Sequence, residues 1–352
     1  MAATSEELIL KNARLREAPL IYRLYRRFSE YYKLARFNKP IGTWLLLWPA
    51  LWALWIAAGG YPWRPTSTVL WVFVLGAIVM RAAGCVINDF ADRNIDPYVR
   101  RTRDRPLAAR RVSPVEALWL FGVLLGAALY LVTYLNAFAI ELAFVGAALT
   151  ISYPFMKRFF PLPQLYLGLS FGGWSVPMAF AAQPGTRPWE LPRVAWVLYM
   201  AAVLWAAIYD TMYAMVDRDD DIKIGVRSSA VLFGDLDRFL IGVMQVLMLC
   251  ALWLAGHSML FGERYQYGVA AAGVLFLYQQ FLIRKRDPKG AMRAFYNNRY
   301  VGLVIFAGIA MQYKYPPVEE FLDRLPQYAD QAMQLANQLV QYADHLYHTY
   351  RP

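Results

Sequence analysis

Cysteine, histidine and charge are all scarce in this 352-residue chain. Two cysteines leave no disulfide scaffold, and three histidines exclude most zinc schemes. Charged residues make up 17% of the sequence, against about 25% in an ordinary soluble domain. No G-x-x-x-x-G-K-[ST] loop occurs, so a nucleotide-hydrolysing pump has no support. The little charge present is lopsided, with 36 Lys+Arg against 25 Asp+Glu and a net charge of +11. On a polar scaffold that surplus would suggest a polyanion binder. At 59% hydrophobic and 16% aromatic residues, the chain is neither disordered nor a soluble nucleic-acid reader.

What is present is a succession of apolar runs. Spans of roughly 17–25 apolar residues cross a bilayer core, and nine candidates occur, at about 42–58, 68–89, 114–135, 137–152, 165–182, 194–216, 239–255, 267–283 and 300–312. Breakers separate them: Gly59-Gly60, Pro154, Pro161, Pro184-Gly185, Pro192 and Asp287-Pro288. Trp44, Trp63, Trp71, Tyr153, Trp189 and Tyr265 stand near their ends, as interfacial anchors would. The expectation is an all-α, polytopic bundle of nine transmembrane helices.

The surplus of cations then becomes a topology signal. If the chain alternates sides at each of nine spans, 28 of the 36 Lys and Arg fall on the side of the N-terminus and the loops after spans two, four, six and eight. By the positive-inside rule that side is cytoplasmic and the C-terminus lies opposite. Residues 1–38 read as a basic amphipathic arm for the membrane surface. They have no A-x-A cleavage pattern, and Glu6 and Glu7 speak against a mitochondrial transit peptide, which favours a bacterial inner membrane. Residues 39–314 form the bundle. Residues 315–352 carry a narrow apolar stripe (Leu325, Tyr328, Ala332, Leu335, Leu339) and read as an amphipathic extension of unassigned role.

Chemistry concentrates after spans two and six. Asn88, Asp92 and Asp96 recur at i, i+4, i+8 and share a face if the helix continues. Asp217 and Asp221 repeat the spacing, with Asp210 and Tyr213 one to two turns earlier. A single acidic helix end is ordinarily just solvated. Two with matched spacing on one side would repel unless a cation joined them. Mg²⁺ suits such oxygen donors and completes its shell with water and phosphate oxygens. An EF-hand does not fit, because counting from Asp217 places Ile222 and Ser228 where Gly and Glu are required.

The pattern Asn88-x-x-x-Asp92-x-x-x-Asp96 with Asp217-x-x-x-Asp221 resembles the paired aspartate motifs of the UbiA superfamily of intramembrane prenyltransferases. Lys39-Pro40-Ile41-Gly42, Arg101-Thr102, Arg105-Pro106-Leu107, Tyr153-Pro154-Phe155-Met156-Lys157-Arg158 and Tyr209-Asp210-Thr211 resemble its 4-hydroxybenzoate polyprenyltransferase branch. The likeness runs from about residue 34 to 313; the tail departs from the pattern. It implies transfer of a polyprenyl group from its diphosphate to 4-hydroxybenzoate, ortho to the hydroxyl, in ubiquinone synthesis.

The resemblance also implies roles. Asn88, Asp92, Asp96, Asp217 and Asp221 would ligate metal, with two Mg²⁺ ions expected. Lys157, Arg158 and Lys223 either clamp the diphosphate or are ordinary positive-inside residues. Arg81, two turns deeper than Asn88, either partners an internal carboxylate such as Glu141 or recognises the aromatic acid, a role open to Arg105 as well. Tyr153 and Tyr213 would stabilise cationic character through their rings. Asp210 is left as ligand support or proton acceptor. Alternative readings are another acceptor (a dihydroxynaphthoate, homogentisate or a lipid alcohol) or a cation-coupled transporter, which would place its ionisable groups near the bilayer midplane.

Overall fold

The computed structural model describes residues 19–59, 65–156, 162–225, 228–314 and 333–334, and every regular element among them is helical. An amphipathic helix, α1 (Leu20–Leu34), precedes α2 (Ile41–Ala58) and α3 (Ser67–Ala91). A 3-10 turn at Asp96–Tyr98 leads to α4 (Pro114–Val132) and α5 (Ala137–Met156). Then come α6 (Pro163–Leu167), a π-helical turn at Gly168–Gly172, α7 (Ser175–Ala181), α8 (Arg193–Ile224) and α9 (Ser229–Phe233). The series closes with α10 (Asp237–Ser258), α11 (Glu263–Leu282) and α12 (Pro288–Lys314).

Local chemistry sets several of these ends. Ser113 and Glu116 cap α4 reciprocally, with Pro114 at its first position. The Thr66 side chain caps α3. At the far end of α8, Gly225 takes a φ of 72°, which glycine adopts without steric cost.

α8 is the axis of the bundle. Leu198, Trp205, Ile208 and Met212 are fully buried, and Trp205 packs on Trp52 of α2 with ring centroids 5.1 Å apart. α4 is the opposite case, since most of its apolar surface faces outward. An apolar helix with an apolar exterior has lipid as its solvent. This is a multi-pass membrane protein.

Each expected span coincides with helix, but length and apolarity qualify six stretches among the described residues, not nine. They are Ile41–Ala58, Ser67–Ala91, Pro114–Val132, Ala137–Met156, Arg193–Lys223 and Ser229–Ser258. The expected span at 165–182 is broken by the π turn. There Gly168 and Gly172 let the chain lie directly against α8: a β-carbon at Gly168 would sit 2.7 Å from the Val203 carbonyl oxygen, and one at Gly172 2.6 Å from Ala206 Cβ. α11 and α12 are long, but Gln279, Asn297 and Asn298 lower their apolarity. These side chains are buried between helices, where Gln279 bonds both Gln245 and Asn297 at 3.0 Å. Tyr265 is not the interfacial anchor expected of it, being buried with its hydroxyl donating to the Leu252 carbonyl. Trp63 and nearly all of 315–352 lie outside the described residues.

Candidate active site

The first aspartate cluster forms where α3 ends. The helix stops at Ala91 with Asp92 as its C-cap, so the continuous three-turn stack does not form. Backbone bonds nonetheless carry the spacing on, from Asp92 N to Asn88 O and from Asp96 N to Asp92 O, each 2.9 Å. Asn88 Nδ2 donates to Asp92 Oδ2 at 3.1 Å. Asp96 opens the 3-10 turn, and both Asp92 and Asp96 are buried. Burial pushes the Asp96 carboxyl above its ordinary pKa despite the opposing charge of Arg105.

α8 runs unbroken through Tyr213, Asp217 and Asp221, as their spacing predicts. The loop after the first cluster reaches across to it. Arg101 Nε donates to both Asp217 oxygens at 2.9 and 3.0 Å, and its Nη1 donates to the Tyr213 hydroxyl. The Arg100 backbone N–H donates to Asp220 Oδ2 at 3.2 Å. Burial lowers the Arg101 guanidinium pKa, but the Asp217 hydrogen bond and the charges beside it outweigh burial and raise it. The loop that follows the first cluster is therefore tied to the second through Arg101, whose guanidinium also lies within electrostatic reach of Asp96, so both clusters sit at one end of the bundle.

Other cations collect there. Arg105 Nη1 bridges Asp96 at 2.9 Å and Asp89 at 3.0 Å. Arg36 Nη2 donates to both Asp89 oxygens at 2.7 and 2.8 Å. Arg81 donates to the carbonyl oxygens of Ala35 at 3.1 Å and Lys39 at 3.2 Å. Glu141 is exposed, so it is not the internal partner considered for Arg81. Gly42 makes that seat: a β-carbon there would lie 2.7 Å from Arg81 Nε. The Lys39 amine is held below its ordinary pKa by partial burial and by the charges of Arg36, Arg101, Arg105 and Arg81. This concentration of positive charge is suited to an anion.

Tyr213 packs on Phe295 with centroids 4.8 Å apart, and Tyr153 packs between Tyr166 and Phe171 within electrostatic reach of Asp92. Lys223 is exposed on the last turn of α8. Lys157 and Arg158 lie outside the described residues. Sequence reasoning gave no role to Arg101, Asp89 or Arg36. Asp89 is off the i, i+4 period, and nothing local ties Arg101 to a residue 116 positions away.

Among the described residues, no three Asp, Glu, His or Cys side chains group to hold a metal by themselves. The donor chemistry suits Mg²⁺ even so, because that ion needs one or two carboxylates and takes water and phosphate oxygens for the rest. Next to the site lies an apolar cavity of about 400 Å³, walled by Val72, Ala77 and Met80 of α3, Leu129 of α4, Ile151 of α5 and Phe171. Met80 adjoins Arg81, and Phe171 packs edge-on to Tyr153, so the cavity begins where the polar groups end.

The UbiA prenyltransferase family model matches residues 46–317. A Methylococcus capsulatus protein named 4-hydroxybenzoate octaprenyltransferase is 54% identical over 287 residues, which cover 82% of this chain and 96% of the relative. An Alkalilimnicola ehrlichii protein of the same name is 55% identical over 285 residues, 81% of this chain and 94% of the relative. Among solved structures, the apo form of a UbiA homolog from Aeropyrum pernix K1 matches with a TM-score of 0.67 at 24% identity, covering 76% of this chain and 97% of that one. A UbiA homolog from Archaeoglobus fulgidus bound to GPP and Mg²⁺ matches with a TM-score of 0.57 at 18% identity, over 81% and 100%. At those identities the structures speak for the shared fold.

Proposed function

The chain belongs to the UbiA prenyltransferase family, and we propose that it transfers a polyprenyl group from an all-trans polyprenyl diphosphate to the ring of 4-hydroxybenzoate, ortho to the hydroxyl, in ubiquinone synthesis. The name borne by relatives more than half identical over four-fifths of the chain supports that acceptor. The observation that carries the chemistry is that the loop following the first aspartate cluster is held to the second by the Arg101–Asp217 pair, with Arg101 in electrostatic reach of Asp96, beside an apolar cavity.

Asn88, Asp92, Asp96, Asp217 and Asp221 would hold Mg²⁺, two ions in this reading; the A. fulgidus homolog's complex with GPP and Mg²⁺ supports the choice of metal. Bound there, Mg²⁺ supplies Lewis-acid charge against the developing negative charge of the leaving diphosphate. Arg101, Lys39 and Lys223, with Lys157 and Arg158, add fixed positive charge to the same anion. Arg81 recognises the carboxylate of the aromatic acid from within α3; Arg105, the second candidate for that contact, is already engaged by Asp89 and Asp96. As the C1–O bond of the prenyl diphosphate breaks, the Tyr153 ring stabilises the allylic cation, while the Tyr213 ring, which carries Arg101 4.4 Å from its centroid and packs on Phe295, holds that guanidinium in place. The apolar cavity takes isoprenoid carbon and keeps out the water that would quench that cation. C1 then bonds the ring carbon, and the proton on that carbon passes to Asp210 or to the released diphosphate as the ring regains aromaticity.

In this reading the protein sits in a bacterial inner membrane, with its N-terminus and site cytoplasmic and its C-terminus on the opposite side. The test uses membranes carrying the protein, Mg²⁺, a polyprenyl diphosphate and 4-hydroxybenzoate, with mass spectrometry of the product. Prenylated acid that disappears in Asp92→Ala and Asp217→Ala is the expected result. No prenylated acid from the unaltered protein, with diphosphate release undiminished in those variants, would overturn it.

A further inference from the structure

α1 has two faces with different surroundings. At about 100° per residue, Leu20, Ile21, Leu24, Tyr25, Phe28 and Tyr32 fall within an arc of roughly 140°, and all six are exposed. The protein-bound side overlaps one edge of that arc, where Tyr31 lies, and runs on from it through Arg27 and Leu34 to Glu30. Tyr31 donates to Glu116 at 2.9 Å, Arg27 pairs with Glu116 at 3.0 Å, and Glu30 pairs with Arg111 at 2.8 Å. Leu34 is buried with Val86, Leu107 and Val112.

The exposed arc has a definite neighbour. Through Glu116, α1 is tied to the start of α4, whose Val115, Leu118 and Trp119 are themselves exposed on a membrane-crossing stretch. The apolar arc thus continues a lipid-facing surface. Arg23, exposed, and Arg26, half-buried, both fall outside the apolar arc, and such flanking cations suit a helix seated among anionic headgroups.

The end of α1 leads into the aspartate site. Arg36 takes a left-handed φ of 60°, a conformation that a residue with a β-carbon keeps only where its surroundings hold it. Here it is held by Asp89, 1% exposed, which receives Arg36 on both oxygens and Arg105 on one. The nitrogen of Arg105 that reaches Asp89 also reaches Asp96. Asp89 is therefore engaged by guanidinium groups and acts as an anchor between them.

We propose that α1 is a lipid-seated arm that keeps the aspartate site in register. Its apolar arc lies in the headgroup layer of an anionic membrane, and Asp89, through Arg36 on one side and Arg105 on the other, transmits that seating to Asp96. Asp89 is a positioning residue. The inference rests on the prenyl-transfer reading above.

The test is a cycle of full-length variants in phosphatidylethanolamine–phosphatidylglycerol vesicles: unaltered protein, Leu24→Ser/Phe28→Ser, Asp89→Asn, and all three changes together. The lipid-face pair is expected to lower kcat several-fold. Asp89→Asn is expected to cost on the order of 10²-fold, with a raised Mg²⁺ requirement, as for a displaced catalytic group. Adding the lipid-face changes to Asp89→Asn should cost nothing more, because the link is already cut. Exchanging phosphatidylglycerol for phosphatidylcholine should slow the unaltered enzyme and leave Asp89→Asn as it was. Hydrogen exchange over residues 92–105 should quicken in the lipid-face pair, a readout that needs no turnover. Additive losses, or a lipid-face pair equal to the unaltered protein in both kcat and exchange, would overturn the inference. So would a change of oligomeric state by light scattering, which would put a second copy on the arc. If Asp89→Asn does not fold, Arg36→Gln cuts the same link. An unaltered protein that makes no prenylated acid defeats the prenyl-transfer reading, whereas additive losses in an active enzyme defeat this inference alone.

Discussion

Arg101 Nε donates to both carboxylate oxygens of Asp217, at 2.9 and 3.0 Å, across 116 residues of chain. That pair ties the loop that follows the first aspartate repeat to the helix that carries the second. The same guanidinium lies over the Tyr213 ring, 4.4 Å from its centroid, so it fixes one wall of the site as well as its charge. A buried carboxylate beside others is stable when a cation neutralises it. Arg101 does so for Asp217, and its charge also reaches Asp96 and Asp221.

Replacing Arg101 by Lys keeps the charge but removes the planar fork that reaches Asp217 and Tyr213 together. The expected loss in kcat/KM for prenyl transfer is on the order of 10²-fold, with Arg101→Met at least as damaging. Steady-state kinetics in membranes check this, and a loss under twofold in Arg101→Lys would remove Arg101 from the site.

Arg81 is held by two backbone carbonyls and packs on Gly42. Arg81→Met should raise the apparent KM for 4-hydroxybenzoate well above any change for the prenyl diphosphate. Equal effects on both substrates would count against carboxylate recognition.

Chelation separates ligands from neighbours. EDTA should abolish transfer and added Mg²⁺ restore it. Asp92→Asn and Asp221→Asn, which keep one oxygen donor and so some activity, should shift the Mg²⁺ concentration for half-maximal rate upward by about tenfold or more, following the weakening expected when a metal's shell is cut. Arg81→Met should leave that concentration in place. A Mg²⁺ titration that moves equally in all three variants would dissolve the distinction between ligands and aromatic-acid contacts.

Packing gives a prediction independent of function. A β-carbon at Gly302 would lie 2.1 Å from Trp48 Cδ1 and 2.9 Å from Trp205, and the Gly302 carbonyl accepts from Trp52 Nε1 at 3.0 Å. Gly302→Val should therefore destabilise the bundle by about 1–3 kcal/mol through overpacking. Gly126, on the outward side of α4 with nothing near its missing β-carbon, should accept Ala without loss. Thermal unfolding of the two variants in detergent decides it, and similar midpoints for both would contradict the packing.

Periodicity made much of this protein legible before any fold was seen. The runs that became α2, α3, α4, α5 and α8 are visible because lipid and core make the same demand on every turn of a helix, and Asp217 and Asp221 keep their spacing because α8 continues beneath them. The break at Gly168–Gly172 was not legible, because its cause is the closeness of α8, not any local preference for ending a helix. Asp89 and Arg36 carried no signal in the sequence, and Arg101 stood only as part of a family-like motif with no role, for a related reason. Each matters through a partner brought near by packing, and no spacing along the chain records that partner.

By itself the sequence determined the helical membrane architecture, the resemblance that points to prenyl transfer and the two aspartate repeats, all of which rest on short-range pattern. Only the tertiary structure decided that α3 ends at Ala91, that Arg101 in the loop after the first repeat pairs with Asp217 of the second, and that Arg105 and Arg36 share Asp89. The physical reason is that a buried charge selects whichever opposite charge the fold delivers within about 3 Å, and delivery depends on helix packing that the sequence encodes nowhere as a local motif.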